Sequence, residues 1–241
     1  MVIASGVIEA VLSAEGLYPH YLDFDFVPFG NNYFGISQCN SLGDANYSAD
    51  ARRCWARTCV NKDDPPEGCF NLTSSHATAQ NPGIPVHLVT QHGHSEYLFN
   101  RLEATIKAML HSDVRMFWPV VKCLEALEHL DFGNRTLEEY ALPACIARTK
   151  LSASEVLARF AGDFGEQQLV RAAHMTVDHA SVPAMLLDHE LLANANGTLP
   201  FFDDYSWTPL AAICQRIREL NHGVAPPGCC DKDENKHGPP L

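Results

Sequence analysis

The stretch from Thr90 to Asn100 is where residue type, and not only hydrophobic pattern, is specified. His92, His94 and Glu96 crowd a glycine turn, and imidazole and carboxylate groups are common metal ligands. Their spacing is not a known tetrahedral pattern, however, and no cysteine accompanies them. We therefore predict no metal site and no cofactor. The pattern favours a structural turn, followed by an amphipathic helix over 96–111.

Cysteine is the second residue type that could carry chemistry. The chain has nine, which is many for a cytosolic protein of this size, and their spacing is not that of a zinc ribbon. It also contains no C-x-x-C, the arrangement that many thiol–disulfide oxidoreductases use. We predict disulfides among these residues: Cys39, Cys54, Cys59, Cys69, Cys123, Cys145, Cys214, Cys229 and Cys230.

Sequence position suggests some of the pairings. The polar segment 35–86 has too few apolar residues to hold a shape by itself, which predicts two internal disulfides. Cys54 and Cys59 could instead be a redox pair, although a structural role is favoured. Cys123 and Cys145 lie on neighbouring predicted helices and form our best single pair.

The cysteines near the carboxyl end leave two alternatives open. Cys229 and Cys230 are adjacent and could form a strained vicinal disulfide. The favoured alternative pairs one of them with Cys214, which would fasten the last predicted helix. The other would then be free or able to form an intermolecular disulfide.

Four N-x-S/T sequons favour an oxidising lumen. The first residues, 1–9, lack the basic region and apolar core of a signal peptide. Two interpretations therefore stay open: a cytosolic protein with many thiols, or a lysosomal or secreted protein whose sequence lacks its true beginning. The second is favoured, and the candidate glycosylation sites are Asn46, Asn71, Asn134 and Asn196.

Charge and hydropathy exclude two classes of partner. The net charge of −12, with no basic run longer than Arg52-Arg53, opposes neutralisation of nucleic-acid phosphates. No apolar stretch approaches the roughly 18 residues that a membrane span needs. We predict neither nucleic-acid binding nor a membrane span.

The order of predicted elements defines the fold class. Helix 3–15 precedes a strand at 22–26, where Leu and Phe alternate with Asp. After the Cys-rich segment come helix 96–111, a helical block over 116–180, a hairpin over 181–192, and a helix that starts at Thr208-Pro209. Within the block, Pro119 occupies a first turn, Ser152-x-x-Glu155 fits a capping box, and the glycines at 162–165 separate the last two helices. This order predicts an α/β protein with a thioredoxin-like fold, a helical insertion and a Cys-rich loop insertion, with the first strand missing.

The same order divides the chain into six segments. Residues 1–34 and 181–222 are the two thioredoxin-like parts. Residues 87–111 hold the turn around Gly93, which we call the signature turn, and the helix that follows it. The insertions are the Cys-rich, glycosylated segment 35–86 and the helical segment 112–180. Residues 223–241, rich in proline and charge, are predicted to be a flexible tail.

The signature stretch resembles that of a known family. Gln91, His92, Gly93, Glu96 and Asn100 match, at the correct spacing, the non-cysteine positions of C-Q-H-G-x-x-E-C-x-x-N-x-x-x-x-C. That motif marks the gamma-interferon-inducible lysosomal thiol reductase family. Val27-Pro28-Phe29-Gly30-Asn31 is similar to the family's V-P-Y-G-N. The cysteine pair 123 and 145, the sequence G-D-x-G from 162, and Val-Pro at 182–183 also have counterparts.

The departures from the family fall on its chemistry. The three signature cysteines are replaced by Thr90, Tyr97 and Thr105. The family's catalytic C-x-x-C, at the start of the first helix, has no counterpart, so we assign no catalytic residue and expect that the sequence begins beyond it. By resemblance, Pro183 is the candidate cis-proline beside which a substrate backbone would bind.

Two functions follow as expectations. The resemblance implies a thiol reductase family protein that reduces disulfide-bonded protein substrates in the endolysosomal or secretory lumen. The alternative is a catalytically inactive, disulfide-stapled glycoprotein that acts as a binding module, which the lost signature cysteines favour.

Overall fold

The computed structural model of the chain describes residues 12–13, 17–18, 20–41, 46–71, 88–127, 141–179, 184, 186–188, 190–191 and 209–229. The chain divides into two compact units: Asp25–Val182, and Met1–Phe24 with Pro183–Leu241. The six-segment division made from the sequence remains a prediction. Each unit is described by itself.

In its described residues, the unit Asp25–Val182 is mostly helical and contains one short antiparallel ladder. Strands β1 and β2 pair with Tyr33 opposite Val89 and Phe34 opposite Leu88. The elements in chain order are β1 (Tyr33–Phe34), a 3-10 helix (Ser37–Cys39), α1 (Ala49–Cys59), β2 (Leu88–Val89), α2 (His94–Met109), α3 (Val114–Glu125), α4 (Leu142–Ile146), α5 (Ala153–Ala161) and α6 (Asp163–Met175).

Helix α1 lies in the Cys-rich segment, for which the sequence pattern predicts no helix or strand. Ser48 caps it by accepting a hydrogen bond from the Ala51 backbone N–H at 3.3 Å. Trp55 is fully buried, packs against Phe29 and Phe34, and donates its indole N–H to the Cys69 carbonyl at 2.9 Å. This part of the segment therefore contributes to the main core.

Two helix predictions meet different outcomes. The helix predicted over 96–111 is confirmed as α2, within two residues at each end. The prediction that Pro119 occupies a first helical turn is wrong, because α3 begins five residues earlier and contains that proline in its interior. The Asp113 side chain sets the start by accepting a hydrogen bond from the Arg115 backbone N–H at 3.1 Å.

Helices α5 and α6 follow their sequence signals. Ser152 caps α5 by accepting a hydrogen bond from the Glu155 backbone N–H at 3.2 Å, as predicted. Gly162 separates the two helices. At Gly165 a β-carbon would collide with the Phe160 carbonyl, so only glycine allows this close approach.

The strand predicted over 22–26 is not formed. The alternation of half-buried apolar residues with exposed aspartates is present, but these residues belong to no strand. The Phe26 carbonyl instead accepts a hydrogen bond from Lys107 Nζ at 2.7 Å, and Asp25 forms an ion pair with the same lysine. A side chain of α2 thus occupies polar groups that a neighbouring strand would otherwise use.

The other unit contains β3 (Leu186–Leu187), β4 (Glu190–Leu191), α7 (Pro209–Leu220) and a 3-10 helix (Pro227–Cys229). Strands β3 and β4 form the predicted antiparallel hairpin, and α7 starts at the predicted proline. Leu17, Ile213 and Ile217 form its core together with a disulfide. The predicted helix over 3–15 lies almost wholly outside the described residues.

Eight cysteines form four disulfides: Cys39–Cys54, Cys59–Cys69, Cys123–Cys145 and Cys214–Cys229. The predicted helical pair, the two pairs within 35–86 and the fastening of the last helix are confirmed. Four intrachain disulfides fit an oxidising secretory or lumenal environment. The described helices include none that is long and apolar enough to cross a membrane. The thioredoxin-like topology remains a prediction.

Candidate functional site

The signature residues build the turn between β2 and α2. Gly93 is the N-cap residue, with φ 81°, a conformation that favours glycine. The Thr90 hydroxyl donates to the Gly93 carbonyl at 2.8 Å, and Glu96 Oε2 accepts from the His92 backbone N–H at 2.8 Å. Glu96 therefore reaches back from the first turn of α2 and satisfies a backbone donor in front of the helix.

The other family-like segment, 27–31, contacts this turn directly. Asn31 Nδ2 donates to Gln91 Oε1 at 2.5 Å, across 60 residues of sequence. Gly30 has φ 58°, and a β-carbon on it would lie 2.8 Å from Glu96 Oε1 and 3.3 Å from Asn100 Nδ2. The conformation favours glycine here, and a β-carbon would also have to displace the Glu96 carboxylate.

A buried arginine and histidine contact segment 27–31 at Gly30. Arg52 on α1 is 1% exposed and donates to the His179 carbonyl at 2.9 Å and the Val177 carbonyl at 3.2 Å. The His179 ring lies 2.9 Å from Arg52 Nη2 and also hydrogen-bonds the Gly30 backbone. We call Gly30, Asn31, Glu96, Asn100, Arg52 and His179, together with Gln91 and Asn32, the Gly30 cluster.

Burial and charge shift the titration of this cluster. Burial, followed by the Arg52 charge, lowers the pKa of His179 to about 4. Burial likewise lowers the pKa of Arg52. Burial raises the pKa of Tyr47, and the charges of Arg52, which lowers it, and of Glu96, which raises it, act in addition.

Several buried polar atoms of the Gly30 cluster have no hydrogen-bond partner within the described part of the chain. They are Asn31 Oδ1, both side-chain polar atoms of Asn32, Arg52 Nε and Asn100 Nδ2. Each such atom costs roughly 1–3 kcal/mol when it stays unpaired. Because donors and acceptors both occur, the set suits water molecules or another polar group that offers both.

The positions at which the family motif has cysteines carry hydrogen bonds in this chain. Fully buried Arg101 donates to the Tyr97 hydroxyl at 2.7 Å and to the Gly162 carbonyl at 3.0 Å. The Thr105 hydroxyl donates to the Arg101 carbonyl at 2.8 Å. Burial, which outweighs the nearby Arg101 charge, raises the pKa of Tyr97. This network joins α2 to the start of α6 at the place where the family motif has cysteines.

The remaining candidate residues are distributed as follows. Asn46 and Asn71 are exposed, as glycosylation requires. Pro183, Cys230 and the sequons at Asn134 and Asn196 lie outside the described residues. Within the described ranges, no three His, Cys, Asp or Glu side chains are grouped to hold a metal ion.

Sequence reasoning missed Arg52 and His179. Their bonds join positions 127 residues apart, and neither residue belongs to a recognisable spacing. The only signal was a basic residue inside a segment whose composition is that of a polar loop.

The comparisons with known proteins supply no relative. No protein-family model matches the chain, and no match was found among curated proteins or among solved structures.

Proposed function

We propose that this chain is a lumenal protein of the gamma-interferon-inducible lysosomal thiol reductase lineage, and that its partners are disulfide-containing polypeptides. The direct contact between two family-like segments carries the proposal. Asn31 bonds Gln91, and Gly30 packs against Glu96 and Asn100. If the two matches had arisen by chance, the two segments would not be expected to be in contact through the very residues that match the family.

The role that the described residues support is binding. The family's reduction reaction needs a thiolate of lowered pKa and a second thiol to resolve the mixed disulfide. The 241 residues contain no C-x-x-C, and the eight cysteines in the described part are already joined in four disulfides. These disulfides stabilise a scaffold that presents a surface to a client polypeptide in the endolysosomal or secretory lumen.

Disulfide reduction is the second candidate function. The same contact between family-like segments favours it, because the family that these segments resemble is one of reductases. Turnover by the family's reaction would need a catalytic dithiol in addition to these 241 residues.

An insulin experiment distinguishes the two functions. The full chain is secreted from a eukaryotic cell, so that its disulfides form, and is mixed with insulin in the presence of a small dithiol. The binding role predicts saturable retention of insulin by the immobilised chain, with no precipitation of insulin B chain above the reagent background. Precipitation above that background establishes the reductase function, and absence of both retention and turnover contradicts the proposal.

The matched variants are Gly30→Val and Gly68→Val. Both glycines have positive φ, but only Gly30 has side chains of the signature helix against the position of its β-carbon. Retention that falls in the first variant and persists in the second links binding to the Gly30 cluster. Circular dichroism of both variants separates a loss of binding from a loss of fold.

A further inference from the structure

The four disulfides differ in how far solvent thiols can reach them. Both cysteines of Cys59–Cys69 are 1% exposed, and those of Cys214–Cys229 are 6% and 4% exposed. Cys145 is also buried, which shields one side of its bridge to Cys123. In Cys39–Cys54 both residues are half-buried, and the neighbours Ser37, Gln38 and Asn40 are exposed. Thiol–disulfide exchange requires in-line access to a sulfur, so this pair is the most open of the four.

The backbone around Cys39 is held without the disulfide. The Ile36 N–H donates to the Ser41 hydroxyl at 3.0 Å, and that hydroxyl donates to the Ile36 carbonyl at 3.3 Å. Backbone bonds from Cys39 N to Ile36 O at 3.1 Å and from Asn40 N to Ser37 O at 3.1 Å close the turn. Opening the S–S bond therefore leaves this cysteine close to its present position.

The backbone around Cys54 is equally independent of the bond. Helix α1 is anchored by Trp55, which is fully buried, and by the separate Cys59–Cys69 disulfide at its end. The Ser48 cap fixes its start. Both cysteines thus sit on preformed supports, and a reduced pair could close again without refolding of the chain.

The surroundings of Cys54 stabilise it as a leaving thiolate. Thr58 lies one turn further along α1, and its Oγ1 is 4.0 Å from each of the two sulfurs, within reach of a hydrogen bond to sulfur. Exposed Arg53 and Arg57 outnumber Asp50 on the same helix, although Arg57 is paired with Asp178. The hydroxyl can stabilise a thiolate on either sulfur, and the positive charge of α1 favours Cys54 as the leaving group, which speeds exchange.

We propose that Cys39–Cys54 is an exchange-competent disulfide that accepts electrons from a client polypeptide carrying two thiols. One client thiolate attacks Cys39 Sγ, the S–S bond breaks, and the electron pair leaves on Cys54 Sγ beside the Thr58 hydroxyl. The second client thiolate then attacks the client sulfur of the mixed disulfide and releases Cys39 as a thiolate.

The exchange balances without another reactant. The client loses two electrons and forms a disulfide, while the pair gains two electrons. The two protons released by the client thiols pass through solvent to Cys39 and Cys54. This activity goes beyond the proposed binding role, because it uses two sulfurs outside the Gly30 cluster.

A redox titration tests the proposal without a client. The secreted full chain is equilibrated in glutathione buffers of increasing reducing power, quenched with acid, alkylated, and digested for mass spectrometry of each cysteine peptide. Cys39 and Cys54 are expected to become alkylated at a ratio of reduced to oxidised glutathione at least ten-fold milder than Cys59 and Cys69 need, with an unchanged circular dichroism spectrum. Reduction of both pairs together, or loss of the spectrum when the first pair opens, overturns the proposal.

The rate of opening tests the role assigned to Thr58. Thr58→Val should slow reaction of Cys39–Cys54 with a small dithiol about ten-fold, the effect of one hydrogen bond to a charged group. Thr58→Ser keeps the hydroxyl and should stay within two-fold of the unchanged protein, as should Ser154→Ala on the exposed face of α5. Equal rates for the valine and serine variants overturn the role assigned to the Thr58 hydroxyl.

Discussion

Burial of His179 makes the stability of the unit Asp25–Val182 depend on pH. In the folded chain the pKa of this imidazole is lowered from 6.5 to about 4, mainly by burial and then by the Arg52 guanidinium. The Val177 and Gly30 carbonyls and the Asp178 carboxylate oppose the shift but do not cancel it. The unfolded chain keeps the ordinary value.

The direction of the effect follows from proton uptake. Below pH 6.5 the unfolded state binds a proton at this position, whereas the folded state binds one only near pH 4. The contribution of His179 to stability is therefore complete above pH 6.5, decreases as pH falls between 6.5 and 4, and is constant below that range. The shift corresponds to about 3 kcal/mol over the whole window.

The perturbation is His179→Gln, which keeps one donor and one acceptor but does not titrate. Urea unfolding is followed by tryptophan fluorescence at several pH values from 7 to 4, with the disulfides intact. His92→Gln, at an exposed side chain of the same unit, serves as the matched control. Subtraction of the variant curve from that of the unchanged protein removes the contributions of carboxylates that both share.

The expected result is a difference between the two unfolding free energies that changes by about 3 kcal/mol between pH 6.5 and 4. The His92→Gln control should leave the pH dependence as it is in the unchanged protein. If His179→Gln and the unchanged protein have parallel curves, the imidazole is not buried beside Arg52 and this reasoning is refuted.

Three further predictions use exposed or tightly packed positions. Gly30→Ala should destabilise the fold by about 2–3 kcal/mol in urea unfolding, and Gly68→Ala by about 1 kcal/mol. Both glycines have positive φ, but only at Gly30 would the new β-carbon meet a carboxylate. Equal losses of stability would show that Gly30 does not approach Glu96 closely. Gly165→Ala should lower the free energy of unfolding by about 1–3 kcal/mol more than Gly162→Ala. The β-carbon at 165 would collide with the Phe160 carbonyl, whereas the one at 162 would make only an ordinary contact. A lower melting temperature for Gly162→Ala than for Gly165→Ala would contradict the packing of α5 on α6. Exposed Asn71 should carry an N-glycan, so Asn71→Gln should abolish one mobility shift on glycosidase digestion, and an unchanged digestion pattern would remove this site.

The sequence correctly predicted the helices whose ends are set by neighbouring residues. The helical spacing after Gly93 defined α2, and the serine at 152 with the glycine at 162 bounded α5, because caps and breakers act within one turn. The pairing of Cys123 with Cys145 followed from the prediction that they lie on adjacent helices. Each of these conclusions needed only neighbouring residues.

The features that sequence reasoning missed depend on distant partners. Composition made the segment around Trp55 look like a polar loop, although that tryptophan fills a core built by residues on both sides of it in sequence. The alternation over 22–26 produced the expected burial, but a strand also needs a neighbour, and Lys107 occupies the backbone carbonyl of Phe26 instead. Burial of Arg52 depends on carbonyls more than a hundred residues away.

The signature residues of the candidate site were recognisable from residue type. The surrounding residues Arg52 and His179 were not. Gln91, Glu96 and Asn100 were identified by their spacing. Their contact with Gly30 and Asn31 could be known only from the structure, because no periodicity joins the two segments. The contact supplies a physical reason for glycine at position 30 and asparagine at position 31, which the motif alone does not give.

A double-mutant cycle between Asn31 and Gln91 tests most directly whether the two family-like segments form one unit. Unfolding free energies are measured for Asn31→Ala, Gln91→Ala and the double variant. The coupling energy is the change in the double variant minus the sum of the changes in the two single variants. A direct hydrogen bond between the two side chains predicts a coupling of about 0.5–1.5 kcal/mol. A coupling of zero, with both single variants folded, would contradict the contact on which the proposed lineage and function rest.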